Sequence, residues 1–149
     1  MSKLQIRALD VHDLLQLDAA IDLLENAFAD PERYSRERIV WELLADNAAF
    51  YRQFFIAAKG RQIVGVAGVK AADWALKTHL LYLSAVAPEM RGKGIGRALL
   101  DARLEWIKRK FDAGRILVST ARAKRFRECG FSEIPDGEIE GRHLMLCRF

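Results

Sequence analysis

The chain has 149 residues, 51% of them hydrophobic, with 24 Lys and Arg against 20 Asp and Glu. This is the length of one domain with enough apolar residues for a core, which excludes disorder, and no run approaches the roughly 20 uncharged apolar residues that cross a bilayer. The net charge of +4 suits an anionic ligand but argues little for nucleic acid, and two cysteines, Cys129 and Cys147, make neither a disulfide framework nor a Cys-rich metal site. The opening Met1–Arg7 has no apolar segment, so no signal peptide and a reducing cytoplasm are expected.

Leu14, Leu17, Ile21, Leu24 and Phe28 recur at helical spacing and predict a first helix with one apolar stripe. Asp10 or Asp13 can cap its start, and Asp30-Pro31 ends it. A second helix opens near Ser35 and turns Ile39, Val40, Leu43 and Leu44 inward. The period then changes. Phe54 to Ala58 reads as a strand, Lys59-Gly60-Arg61-Gln62 as a hairpin turn, and Ile63 to Val69 as its partner. Gly65 and Gly68 mark a bulge or a close backbone approach there. After a loop around Asp73-Trp74, Leu80 to Ala87 is apolar on both faces, as in a central strand, and Pro88 closes it.

A long helix is predicted from about Gly94 to Phe111, burying Leu100, Leu104, Ile107 and Phe111, with Gly114 as its C-terminal cap. Ile116 to Ser119 is a further strand, Ala121 to Cys129 a basic helix stopped by Gly130, and Phe131–Ile134 and His143–Phe149 the last strands. The order ααβββαβαββ joins antiparallel hairpins to a βαβ crossover, which is an α+β or mixed α/β domain.

The segment Val86-Ala87-Pro88-Glu89-Met90-Arg91-Gly92-Lys93-Gly94-Ile95-Gly96-Arg97 carries the chemistry. A buried strand ends, three glycines follow, and a helix begins. A helix start offers unpaired N–H groups at the positive end of its dipole, glycines let the backbone curl around an anion, and Arg91, Lys93 and Arg97 add cations. That is a phosphate cradle. The glycine spacing G-x-G-x-G fits neither the dinucleotide fingerprint nor the triphosphate loop.

The string V-x-P-E-x-R-G-K-G-I-G resembles the GNAT superfamily of acetyl-CoA-dependent N-acetyltransferases, and the element order follows that family over the whole chain, with Gly130-Phe131 closing the last β-helix-β unit. The resemblance implies a single domain over 1–149, with a central, mostly antiparallel twisted sheet of roughly six to seven strands flanked by about four helices. It implies an N-acetyltransferase that moves an acetyl group from acetyl-CoA to a primary amine of a small molecule or peptide by direct attack, with no metal. The backbone of Arg91, Gly92, Lys93, Gly94, Ile95, Gly96 and Arg97 would hold the CoA pyrophosphate. Ser84, Ala85 and Val86 would pair with the pantetheine arm, and a strand at 116–119 would splay away to open the cleft. Ser119 and Phe126 fall on further cofactor-contact positions, while Arg122, Lys124, Arg125 and Arg127 either meet the 3′-phosphate or form a solvated helix face. Where relatives carry a tyrosine that protonates the departing sulfur, this chain has Phe126 or Arg127, depending on the alignment. A homodimer is common among relatives.

An amine near pKa 10 is protonated at pH 7, so a group must take its proton, and a backbone N–H near Val86 is the expected oxyanion donor. If Val86 and Ser84 line the coenzyme side of their strand, strict alternation sends Tyr82 and Leu80 the same way and His79 the opposite way. Relatives place Glu or His where this chain has Leu80 and Tyr82. Tyr82 is therefore the leading catalytic candidate, as a base through water, a proton donor or an orienting hydroxyl, with His79 in reserve should the strand bulge. Because phenol and base are both missing, a non-catalytic acyl-CoA-binding module is the alternative. Association with nucleic acid through the basic helix is a third, disfavoured by the low net charge.

Overall fold

The computed structural model describes residues 3–44 and 50–149. Seven strands form one sheet in the order β1-β2-β3-β4-β5-β7-β6. They are β1 (Leu4–Ala8), β2 (Arg52–Lys59), β3 (Gln62–Ala71), β4 (Thr78–Val86), β5 (Arg115–Thr120), β6 (Ser132–Ile139) and β7 (Arg142–Arg148). The helices are α1 (Leu14–Phe28), α2 (Arg36–Leu44), α3 (Ile95–Lys110) and α4 (Ala123–Arg127). Only β4 and β5 run parallel; every other neighbouring pair is antiparallel.

Two apolar layers sandwich the sheet. Phe54, Ile56, Ala58, Val66, Leu83 and Ala85 pack under Leu17, Ala20, Ile21 and Leu24 of α1 and Ile39 and Leu43 of α2. Phe55, Ala57, Val64, Ala67, Val69 and Leu81 pack under Ile95, Leu99, Leu100, Leu104 and Ile107 of α3. The run from Phe54 to Ala58 is thus apolar throughout because successive residues serve opposite layers. Gly65 and Gly68 admit close neighbours: a Cβ at Gly65 would lie 2.9 Å from Leu99 Cδ1, and one at Gly68 would lie 2.5 Å from the Phe54 ring. Both readings open for these glycines are realised, since the register of β3 also shifts beside each, against β2 at Gly65 and against β4 between Val66 and Gly68.

Several local expectations change. An unanticipated strand, β1, pairs with β2 as a sheet edge; its residues are exposed or half-buried, so no apolar alternation announced it. Asp13 caps α1, its side chain accepting from Gln16 N–H. Leu14 and Leu44 point to solvent, at 70% and 44% exposure, because each sits at a helix end beyond the layer. Helix α3 is capped by Phe111; Gly114 instead lies where a Cβ would be 2.6 Å from the Lys77 carbonyl. The basic helix shrinks to five residues, and β6 extends through Pro135 and Gly137 with a register shift opposite β7, as befits an edge strand.

Candidate active site

The parallel ladder between β4 and β5 is short. It joins Thr78, His79 and Leu80 to Arg115, Ile116 and Leu117, and stops there. Beyond it the strands part, as the family resemblance implies, so the β5-facing edge of β4 from Leu81 to Val86 is left free of ladder partners. On its other side β4 stays bonded to β3, and Ala87 N–H donates to the Val64 carbonyl at 2.8 Å. Because N–H directions alternate along a strand, Val86 N–H and C=O face the open edge. Arg91 Nε donates to the Val86 carbonyl at 3.3 Å, in keeping with that direction.

The same strand carries a bulge. Val66 opposes Ala85 but Gly68 opposes Tyr82, so β4 holds one residue more than β3 across this step. Leu83 takes φ of +46°, a region that leucine rarely enters, and is 7% exposed. The bulge overturns strict alternation. Tyr82 and Leu83 both join the layer under α1 and α2, whereas Val86 packs toward α3. Tyr82 therefore does not share a face with Val86; it lies across the sheet from α3 and the glycine loop before it.

That loop runs from one turn of 3-10 helix, Pro88–Met90, into α3. Gly92 and Gly94 have φ of +77° and +81°, and Gly94 is the N-cap of α3, with no side chain accepting from the first turn. Those N–H groups are thus free for an outside anion. A Cβ on Gly92 or Gly94 would meet nothing within 4 Å, so these two are glycine for their backbone angle. Gly96 differs: a Cβ there would lie 2.5 Å from Arg125 Nη1. Ile95, 2% exposed, anchors the helix start. Lys93 is exposed, and Arg97 pairs with Asp101 and Glu128, both at 3.4 Å.

On the opposite layer, Tyr82 donates its hydroxyl hydrogen to Glu42 Oε2 at 2.6 Å. Glu42, 4% exposed, also meets Arg52 Nε at 3.2 Å and Lys70 Nζ at 3.3 Å. Arg52 stacks on the Trp41 ring at 4.0 Å, and Lys70 Nζ sits 4.4 Å from the centre of the Tyr82 ring. Burial, followed by the bond to Glu42, raises the Tyr82 pKa well above its ordinary value, so the phenol stays protonated. Sequence reasoning missed Glu42, Arg52 and Lys70. A signal for Glu42 existed: it is a charged residue on the buried stripe of α2, one turn from Ile39 and beside Leu43.

The remaining predicted positions fall elsewhere. His79 is 3% exposed on the α3 layer, its Nδ1 bonded to Tyr51 Oη at 2.6 Å, with Phe111 and Phe149 packed beside it and Nε2 without a partner. Burial lowers its pKa. The bulge at Leu83 does leave His79 on the layer of Val86, but His79 is enclosed there by Phe111 and Phe149 and stays in the core. Phe126 is 7% exposed and packs edge-on to Phe131 in the α3-side core. Arg127 points away to Glu133 at 3.0 Å. Ser119 is exposed on the diverging part of β5, where its carbonyl accepts from Arg142 at 2.9 Å. Cys129 and Cys147 are free thiols.

Comparison with known proteins places this geometry. The profile of the acetyltransferase (GNAT) family matches residues 14–131. No curated protein sequence matches. Among solved structures, the PaiA N-acetyltransferase of Thermoplasma acidophilum in complex with coenzyme A is similar at 18% identity and a TM-score of 0.73, over 99% of each chain. The ribosomal-protein-S18-alanine N-acetyltransferase of Escherichia coli is similar at 18% identity and a TM-score of 0.74, over 98% of this chain and 94% of that one. An acyl-CoA N-acyltransferase from Pseudomonas aeruginosa gives 14% identity and 0.75 over 99% of each. With a seven-stranded sheet parted at β4 and β5, a glycine cradle where they part, and a family profile spanning most of its length, the chain belongs to the acetyltransferase (GNAT) family.

Proposed function

We propose that the chain transfers an acetyl group from acetyl-CoA to a primary amine of a small molecule or peptide. One observation carries this reading: the open edge of β4 leads directly into the uncapped first turn of α3. The backbone of residues 91–97 then receives the pyrophosphate, and the edge at Ser84, Ala85 and Val86 receives the pantetheine arm like an added half-strand. Val86 N–H, facing that edge, is the donor for the oxyanion. Residues Gly92 and Gly94 suit the group, since both take left-handed angles and the space beside each is open.

The amine approaches from the layer of α1 and α2, where Tyr82 lies. With its own hydrogen committed to Glu42, the Tyr82 oxygen keeps lone pairs that accept an amine N–H and orient the nitrogen. The ammonium first gives one proton to water; the neutral nitrogen then forms the C–N bond, the tetrahedral centre collapses with loss of the C–S bond, and the second nitrogen proton passes through water to the departing thiolate. A thiol of pKa about 8.5 leaves tolerably as thiolate, which suits a site with no phenol at Phe126 or Arg127.

The test has two arms. Acetyl-CoA at about a hundred times its dissociation constant should raise the melting temperature by about 5–11 °C, and NAD should not. Free thiol should then appear with at least one member of a panel of primary amines and peptide N-termini. Binding with no thiol release from any acceptor would favour a non-catalytic acyl-CoA-binding module, the reading that the missing phenol supports. No thermal shift would remove both.

A further inference from the structure

We propose that Arg125, from α4, binds the pyrophosphate of the coenzyme, and that Gly96 is glycine in order to admit its guanidinium. This rests on the cradle reading above and adds to it a side chain from a separate element.

The three loop glycines are not equivalent. Gly92 and Gly94 adopt backbone angles that other residues avoid, and space above them is open. Gly96 is an ordinary helical residue in the first turn of α3, where glycine is less favourable than alanine. What distinguishes it is its neighbour. A Cβ there would lie 2.5 Å from Arg125 Nη1, 3.2 Å from Cζ and 3.4 Å from Nη2, so the guanidinium reaches the helix start with Nη1 foremost.

A cation in that position is electrostatically misplaced. It faces the positive end of the α3 dipole, and no carboxylate pairs with it among the described residues. Its neighbours differ in this respect: Arg97 is matched by Asp101 and Glu128, and Arg127 by Glu133. Burial and the nearby charges of Arg122 and Arg97 all disfavour the charged form of Arg125. Its helix is nonetheless held by the core through Ala123 and Phe126, 8% and 7% exposed, which sets Arg125 against α3. An anion shared between the first-turn N–H groups and the guanidinium fork resolves the conflict, and a diphosphate supplies oxygens to both.

The experiment is calorimetric titration of wild type and variants with CoA and with dephospho-CoA, which lacks only the 3′-phosphate. Arg125→Gln is expected to weaken both ligands by the same factor, roughly 10- to 100-fold, the range for one charged hydrogen-bonded contact. A loss confined to CoA would assign Arg125 to the 3′-phosphate and overturn the proposal, as would unchanged affinity. Gly96→Ala should weaken both ligands in the wild-type background and add no further loss on top of Arg125→Gln. Equal losses in the two backgrounds would break the link between the residues. Should Arg125→Gln not fold, Arg125→Lys keeps the charge without the fork, and undiminished affinity there overturns the assignment. Absent CoA binding by the wild type would sink the cradle itself, whereas normal wild-type binding with unaffected variants would sink only Arg125.

Discussion

The two layers of the sheet build their parts of the site in opposite ways. On the α3 side, the proposed anion cradle comes from one contiguous stretch, and what it offers is backbone N–H groups at a helix start. On the α1 and α2 side, the polar cluster draws Glu42 from α2, Arg52 from β2, Lys70 from β3 and Tyr82 from β4, and its chemistry is side-chain charge taken out of water. A cradle of the first kind tolerates exposed side chains around it. A cluster of the second kind is coupled to stability, because removing one member strands the others.

Substitutions should separate the layers. The largest effect is expected from Glu42→Ala, which leaves Arg52 and Lys70 without their shared carboxylate; urea unfolding should show a loss of about 3–5 kcal/mol. A loss under about 1 kcal/mol would mean that the cluster is solvated and the contrast false. Gly94→Val forces a β-branched residue into left-handed backbone at the N-cap and should reduce acetyl-CoA affinity by about 100-fold or more, roughly 2.7 kcal/mol, with a smaller change in stability. Full affinity in that variant would show that the cradle does not depend on its backbone angles.

Tyr82→Phe keeps the charges of Glu42, Arg52 and Lys70 and removes one hydrogen bond. Its expected cost is about 1 kcal/mol of stability, with turnover of any accepted amine lowered by roughly 10²-fold and acetyl-CoA affinity unchanged. Equal turnover would confine Tyr82 to packing. The smallest effect concerns His79, whose lowered pKa keeps it neutral when folded while the unfolded chain binds a proton below about pH 6.5. Its contribution is therefore complete above pH 6.5 and lost as pH falls toward the folded pKa, at no more than about 1.4 kcal/mol per pH unit. Urea unfolding at pH 7.5 and pH 5.5 should show that loss, and His79→Gln should reduce it. A slope unchanged in the variant would place the titration elsewhere.

The contrast also explains what could be read in advance. The strand, the glycine run and the helix of the cradle are local in sequence, so glycine spacing and hydrophobic period marked them before any fold was known. The bulge at Leu83 was not legible. Nothing about leucine announces positive φ, and only the mismatch between β3 and β4 requires it. One extra residue then reversed the facing of everything beyond it, which carried Tyr82 to the layer opposite Val86. His79 is kept from the site by another long-range feature, a core of aromatics contributed by distant segments.

From sequence alone came the mixed α+β class, the helix stripes, most of the strands, the glycine loop before α3 and the family resemblance, all set by short-range period and backbone chemistry. Tertiary structure decided which layer each residue serves. It added the edge strand β1, whose pairing needs β2 but no apolar face of its own. It joined Glu42 to Tyr82 across forty residues and laid Arg125 over Gly96. Such contacts depend on where separate elements dock, and packing between layers, not spacing along the chain, sets that.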